Sequence, residues 1–284
     1  MKNYRYQSAF DAKVSQNIIE VICHLYDHQN RDILPDLQEK CGLNDVVLLE
    51  KKSADLDKLG KISLLKRYFS KRPPVDLQYI ASTLVDVDSK QKTVFITFKG
   101  SKEGVDWLTD FAIGKAKFFG TEYRVHSGFH RSIELFEESF KIHCTNEVDG
   151  FYHQLYETLQ EEGTKVVLTG HSLGGALATL AACRFSDLGV AKENLVVYSF
   201  GAPPIASKAF VEAYQERFTI HRFSNALDIV TLVDKLLYVF KKHRLLHLGE
   251  EIELPSNEGE IHSILGYKDN MKEYIDTVSE QHKH

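Results

Sequence analysis

The chain has 284 residues, 43% hydrophobic and 26% charged, enough for one large domain with a substantial core and ordinary for a globular protein rather than a disordered one. Its formal net charge of −5 argues against a nucleic-acid binder, which needs a basic face to displace counterions from phosphates. The four cysteines, Cys23, Cys41, Cys144 and Cys183, are far apart with no CxxC pair, so buried thiols are expected rather than a zinc site or a disulfide scaffold.

The N-terminal stretch MKNYRYQSAFDAKVSQ has no continuous apolar run after its basic residues, and no segment approaches the ~18 apolar residues of a membrane span. A cytoplasmic location is the default expectation, and export by a route that reads no N-terminal signal stays open. Residues 10–28 place Ala12, Ile18, Ile19, Val21, Ile22, Leu25 and Tyr26 at mixed three and four spacings, which predicts a helix with one buried face. Residues 29–74 mix charges with short apolar runs and end in KRPP; the whole 1–74 region is expected to be mainly helical and to pack on or beside a sheet. From residue 77, LQYIASTLVDV, a polar DSKQK turn and TVFITFKG predict a β-hairpin.

Residues 102–120 carry Trp107, the one tryptophan, and too many glycines for an uninterrupted helix. Helices are expected over 130–143 and 151–161, then a strand at 165–169, a helix at 174–185, a strand at 195–200, a helix at 206–217, a strand at 218–224 and a less regular C-terminal third. This alternation predicts a single α/β domain over 1–284, with a mostly parallel sheet covered by helices on both faces.

The stretch KVVLTGHSLGGA raises the chemical question. Its first five residues read as a buried strand, and GALATLAA after it as a helix packed through small residues. Between them Gly170, His171, Ser172, Leu173 and Gly174 form G-x-S-x-G. A strand-to-helix turn of that length strains the serine backbone and leaves no room for neighbouring Cβ atoms, hence the flanking glycines. An exposed hydroxyl above the C-terminal edge of the sheet is expected, beside a helix N-terminus that favours negative charge. Ser172 is the candidate nucleophile, and the N–H of Leu173 a candidate oxyanion donor.

GHSLGGALA at 170–178, with TFKGS at 97–101, DWLTD at 106–110, VHSGF at 125–129 and FGAPPIAS at 200–207, resembles the class 3 lipase family, a branch of the α/β-hydrolases. The resemblance spans about residues 75–265, which it implies to be the catalytic core. It implies an α/β-hydrolase fold and hydrolysis of triacylglycerol, phospholipid or other esters through an acyl-enzyme. It further implies Ser101 as the second oxyanion residue, and a lid over 102–120 in which Trp107, Leu108, Phe111, Ile113, Phe118 and Phe119 cover an acyl groove. A buried helix and loop is the competing reading of that stretch. Lys99 stands where the family usually has Arg, and a lysine cannot reproduce a bidentate clamp.

A serine needs a base to take its proton and a carboxylate to orient that base, in the chain order Ser, Asp or Glu, His. Asp228 sits just past the strand run TIHRFS at 219–224 and is the candidate acid, with Asp234 in reserve. His262 and His247 are the candidate bases; His262 resembles the family's histidine, which stands a few residues before an aromatic, although its distance in sequence from Asp228 is shorter than in secreted fungal members. His243 lies in a charged KKHR cluster, and His282 and His284 lie in a terminal tail. The expected partner is a lipid or small ester, with transient contact to a lipid surface admitted; no nucleic acid, metal or other cofactor is expected, and no HExxH occurs. A catalytically idle member of the fold that binds lipid or protein is the alternative function.

Overall fold

The computed structural model describes residues 15, 18–23, 26, 44–52, 76–85, 92–100, 114–145, 161, 163–233, 245–255 and 261–281. The interior strand β3 (Lys92–Phe98, KTVFITF) shows why this sequence makes a sheet closed on both faces: every residue from Val94 to Phe98 is buried. Because successive side chains point to opposite faces, Val94, Ile96 and Phe98 enter one core while Phe95 enters a second. β6 (Lys165–His171), β7 (Leu195–Phe200), β8 (Thr219–Asn225) and β9 (Glu251–Leu254) follow in parallel. β1 (Asn44–Lys52) and β2 (Asp76–Val85) extend the other edge antiparallel, giving the order β1-β2-β3-β6-β7-β8-β9. A separate two-stranded ribbon joins β4 (Lys115–Lys117) to β5 (Arg124–His126).

One face is covered by α1 (Ser127–Thr145), α2 (Leu173–Asp187) and α3 (Lys208–Tyr214), through residues such as Phe136, Leu177 and Phe210. Arg184 of α2 donates two hydrogen bonds to Glu137 of α1, at 2.9 and 2.8 Å. On the other face lie α4 (Ile264–Gln281) and the helical residues 18–23 and 26, which bury Ile18, Ile19, Val21 and Ile22 against Phe95, Phe200, Phe223 and Tyr267. Lys268 of α4 pairs with Glu20 at 2.8 Å, joining these two helical pieces. Cys23 and Cys183 are buried thiols. Among the described residues no helix is long and apolar enough to cross a membrane.

The expected hairpin, alternating strands and helices on both faces are present. Two expectations need correction, and one choice is settled. Residues 44–52, inside the region expected to be mainly helical, form β1, because the run from Val47 to Leu49 pairs with Tyr79 to Ala81 of β2. The C-terminal third, read as less regular, contains the 18-residue α4, whose Ile264, Tyr267 and Met271 share the buried face. Phe118, given to the lid, takes the competing, buried reading of that stretch: it follows β4 and is fully buried in edge-to-face contact with Phe210 and Tyr214, at centroid distances of 5.2 and 5.8 Å, while Phe119 beside it is half-buried against His130. An aromatic ring pointed at α3 gains more by burial there than as a movable flap. The remainder of the lid stretch, 102–113, and nearly all of the helix expected at 151–161 lie outside the described residues.

Candidate active site

The turn between β6 and α2 carries the serine. Ser172 adopts φ 57° and ψ −127°, a left-handed conformation that costs a non-glycine residue about 1–3 kcal/mol and survives only where the surroundings enforce it. They do so here: the Ser172 N–H donates to the Phe200 carbonyl at 2.9 Å, and Gly175 and Ala176 donate to the Ser172 carbonyl at 3.0 and 3.3 Å. Gly170 and Gly174 let three backbones meet. A Cβ on Gly174 would overlap the Phe98 carbonyl oxygen and stand 2.9 Å from its carbon, while a Cβ on Gly170 would lie 2.7 Å from the same oxygen and overlap Gly174.

Ser172 precedes the first residue of α2 without capping it through its side chain, and no acidic residue occupies the first turn of that helix. The Leu173 N–H therefore belongs to a helix terminus that attracts negative charge. Contrary to the expectation of an exposed hydroxyl, Ser172 as a residue is only 1% exposed. The His262 imidazole closes over its Oγ, and Gly100 abuts it so closely that a Cβ there would touch the Ser172 Cβ at 3.4 Å.

Two further segments converge on that hydroxyl. After β8 the chain turns so that the Asp228 N–H donates to Asn225 at 3.0 Å, and Asp228 becomes fully buried. Its Oδ1 accepts the Val230 N–H at 2.9 Å, and its Oδ2 accepts from the Tyr267 hydroxyl at 2.6 Å. His262 lies just before α4, held by the Asn225 side-chain amide, which donates to the Ile261 carbonyl at 2.6 Å. Its Nδ1 is 2.7 Å from Asp228 Oδ2 and its Nε2 is 2.9 Å from Ser172 Oγ. A carboxylate can only accept, so Nδ1 carries the hydrogen and Nε2 is left to accept from the serine hydroxyl. That arrangement can take a proton from Ser172 while the carboxylate stabilises the resulting imidazolium.

Ser172, Asp228 and His262 are thus brought together, with Gly170, His171, Leu173 and Gly174 around them. His247 is elsewhere: its Nε2 meets the Thr231 carbonyl at 2.8 Å. Asp234, His243, Ser101, Trp107, Leu108 and Phe111 lie outside the described residues. Tyr267 was missed by sequence reasoning; the only signal was an aromatic five positions after His262, with nothing to say where its hydroxyl points. Tyr26 was read as one apolar position of a helix, yet its hydroxyl lies 3.4 Å from His171 Nδ1 and 3.5 Å from the His171 carbonyl oxygen. Among the described residues no group of three or more His, Cys, Asp or Glu could hold a metal ion.

His171 lies beneath His262, with ring centroids 5.0 Å apart. Burial first, and the neighbouring His262 charge second, lower its pKa from 6.5 to about 3. The imidazole under His262 is therefore neutral near neutral pH and adds no competing cation. Because the folded value is depressed, the unfolded chain binds the extra proton first: this contribution to stability is complete above about 6.5 and is lost as pH falls toward about 3. Denaturant unfolding at pH 7 and pH 4.5 should show that loss in the intact protein and a smaller one in His171→Gln.

A family model described as Lipase (class 3) matches residues 95–236, half of the chain. The chain is similar to a lipase of Rhizomucor miehei, 29% identical over 190 residues that cover 65% of this chain and 48% of that protein. It is also similar to Phospholipase A1-Ialpha2, chloroplastic, of Arabidopsis thaliana, 25% identical over 195 residues covering 62% of this chain and 40% of that protein. The chain spans about half the length, or less, of these relatives. Among solved structures, Rhizomucor miehei triacylglyceride lipase superposes with a TM-score of 0.58 at 21% identity, covering 88% of this chain and 82% of that one. That superposition, with the mostly parallel sheet and the turn at Ser172, makes the fold an α/β-hydrolase fold. The matched span contains both that turn and Asp228, and on this match the chain belongs to the class 3 lipase family.

Proposed function

We propose that this protein is a carboxylic ester hydrolase acting on lipid esters, with Ser172 as nucleophile, His262 as general base and then general acid, and Asp228 as the orienting carboxylate. The observation that carries this reading is the unbroken hydrogen-bond chain from Ser172 Oγ to His262 Nε2 at 2.9 Å and from His262 Nδ1 to Asp228 Oδ2 at 2.7 Å. In the first step Ser172 Oγ bonds to the ester carbonyl carbon and its proton moves to His262 Nε2. The tetrahedral oxyanion is held by the Leu173 N–H at the start of α2 and by Ser101, whose proposed role rests on its resemblance to the family pattern. His262 then gives the proton to the departing alcohol, leaving an acyl-serine. Water, deprotonated by the same imidazole, releases the acid and restores the serine.

A lipid rather than a small polar ester is favoured by what surrounds the two downstream residues. Leu227 and Ile229, either side of Asp228, are 64% and 50% exposed, and Leu265, three positions after His262, is 51% exposed. Large apolar side chains so placed suit an acyl chain or the face of a lipid aggregate. Trp107, Leu108 and Phe111 are proposed as the lid that opens on such a face, on their resemblance to the family pattern. Triacylglycerol is the first substrate to test, and the similarity to a protein named phospholipase A1 favours phospholipid as the second. Hydrolysis should be compared on emulsified triacylglycerol, monoacylglycerol and phospholipid alongside a freely soluble acetate ester. Faster turnover of an aggregated lipid than of the soluble ester is expected; turnover of the soluble ester alone would contradict the lipid assignment.

A further inference from the structure

We propose that Tyr267 is a positioning residue for the reaction: its hydroxyl fixes the Asp228 carboxylate and moderates how strongly that carboxylate attracts the His262 proton. This rests on the roles given above to Ser172, His262 and Asp228. Tyr267 lies in the first turn of α4, outside the span matched by the family model, and is fully buried. Its oxygen accepts the Asn225 N–H at 3.0 Å, so its single hydrogen is directed to Asp228 Oδ2, at 2.6 Å. That oxygen is the one His262 Nδ1 uses, at 2.7 Å. Two donors therefore share one carboxylate oxygen, while the Val230 N–H holds the other.

The ring has no freedom to withdraw. It lies over Gly201, where a Cβ would stand 2.9 Å from the ring Cε2 and 3.0 Å from Cζ and Oη, and edge-on to His171 with centroids 5.5 Å apart. Asn225, whose N–H aligns the phenol, also holds the His262 loop through Ile261 and accepts a hydrogen bond from Asn270 of α4 at 3.0 Å. One strand end thus sets acid and base together. Burial first, and the Asp228 charge second, push the Tyr267 phenol well above its ordinary pKa, so it remains a donor whenever the carboxylate is charged.

A hydrogen bond to a carboxylate is about twice as strong as a neutral one and withdraws charge from the oxygen that accepts it. With Tyr267 in place, Oδ2 therefore stabilises the imidazolium less than an unshared oxygen would, in exchange for a fixed direction. Removing the phenol hydroxyl has a definite sign: His262 becomes more basic. Among the described residues, titratable or charged groups around this pair include His171 of β6, kept neutral by burial, Tyr26, whose hydroxyl meets His171 and whose phenol pKa is raised by burial, and Arg222 of β8, which meets Glu251 of β9 at 3.4 Å. None takes the place of the lost hydroxyl.

The test is the His262 titration, followed by imidazole 15N NMR in the full chain and in Tyr267→Phe, with the resonance assigned through His262→Gln. An upward shift of about half a pH unit or more is expected, a fraction of what hydrogen bonding to a charged form can bring. The acid limb of kcat should move the same way, with kcat lower and KM unchanged. An unmoved or lowered His262 titration overturns the proposal, as does a fall in kcat accompanied only by a fall in Tm. Should Tyr267→Phe fail to fold, 3-fluorotyrosine at 267, a stronger donor of nearly the same shape, decides: a lowered His262 pKa supports the proposal and an unmoved one overturns it. The NMR reading needs no turnover, so a shifted titration in a protein that hydrolyses no ester would refute the proposed function while leaving the Tyr267–Asp228–His262 coupling standing.

Discussion

Replacing Ser172 with alanine is expected to lower kcat for ester hydrolysis by about a millionfold, and adding His262→Ala to that variant is expected to cost almost nothing more. The reason is the geometry of one shared proton. Ser172 Oγ and His262 Nε2 are 2.9 Å apart, and every later proton transfer by the imidazole depends on that hydroxyl having first attacked the ester. Once the hydroxyl is gone no acyl-serine forms, and the imidazole has neither a departing alcohol to protonate nor an acyl-enzyme to hydrolyse. Residual turnover should match what the oxyanion donors and binding alone supply, roughly 10³–10⁴ over water in hydrolases of this kind. Steady-state and single-turnover assays of the two single variants and the double variant make the comparison. Losses that simply multiply would mean that serine and histidine act independently.

Gly174→Ala should be among the most damaging single-methyl changes at the described glycines. The added Cβ would meet the Phe98 carbonyl at the end of β3, a backbone group in the middle of the sheet that has nowhere to retreat. Overpacking of this kind is expected to cost about 3 kcal/mol, and to lower Tm by roughly 6–12 °C. The turn would separate from β3, and a displacement of about 1 Å at Ser172 is expected to lower kcat about a hundredfold. Gly189→Ala is the control: its φ of +98° strains any side chain, but no atom lies within 4 Å of the added Cβ. Calorimetry should find Gly189→Ala milder and its kcat unchanged. Equal effects would mean that the close approach of Gly174 to Phe98 is not what the glycine is for.

Those two residues also show how far the sequence could be read. The turn at 170–174 was legible because strand, glycines and small-residue helix are local in sequence, and the steric reason for each is local as well. Asp228 followed from strand order. Choosing His262 over His247 needed the family resemblance, because both histidines follow Asp228 and only the folded chain shows which one Asn225 and α4 carry to Ser172. Tyr267 was out of reach: its role depends on a helix crossing Gly201, a contact 66 positions away with no periodic signal. The choice between lid and buried stretch at Phe118 was closed to sequence reading for a related reason, since an apolar residue there looks the same in sequence whether it covers a groove or packs against α3. The strand at 44–52 was obscured because its partner lies beyond the punctuation of Pro73 and Pro74.

The central claim is that the hydroxyl of Ser172 is activated by His262 to attack electrophilic carbon or phosphorus. Treating the full chain with a fluorophosphonate and mapping the adduct by peptide mass spectrometry measures that reactivity without assuming any substrate. A single phosphonyl group on Ser172, lost in His262→Ala, is the predicted result. No adduct after opening the site with detergent or lipid, or an adduct on another serine with Ser172 unmodified, would contradict it.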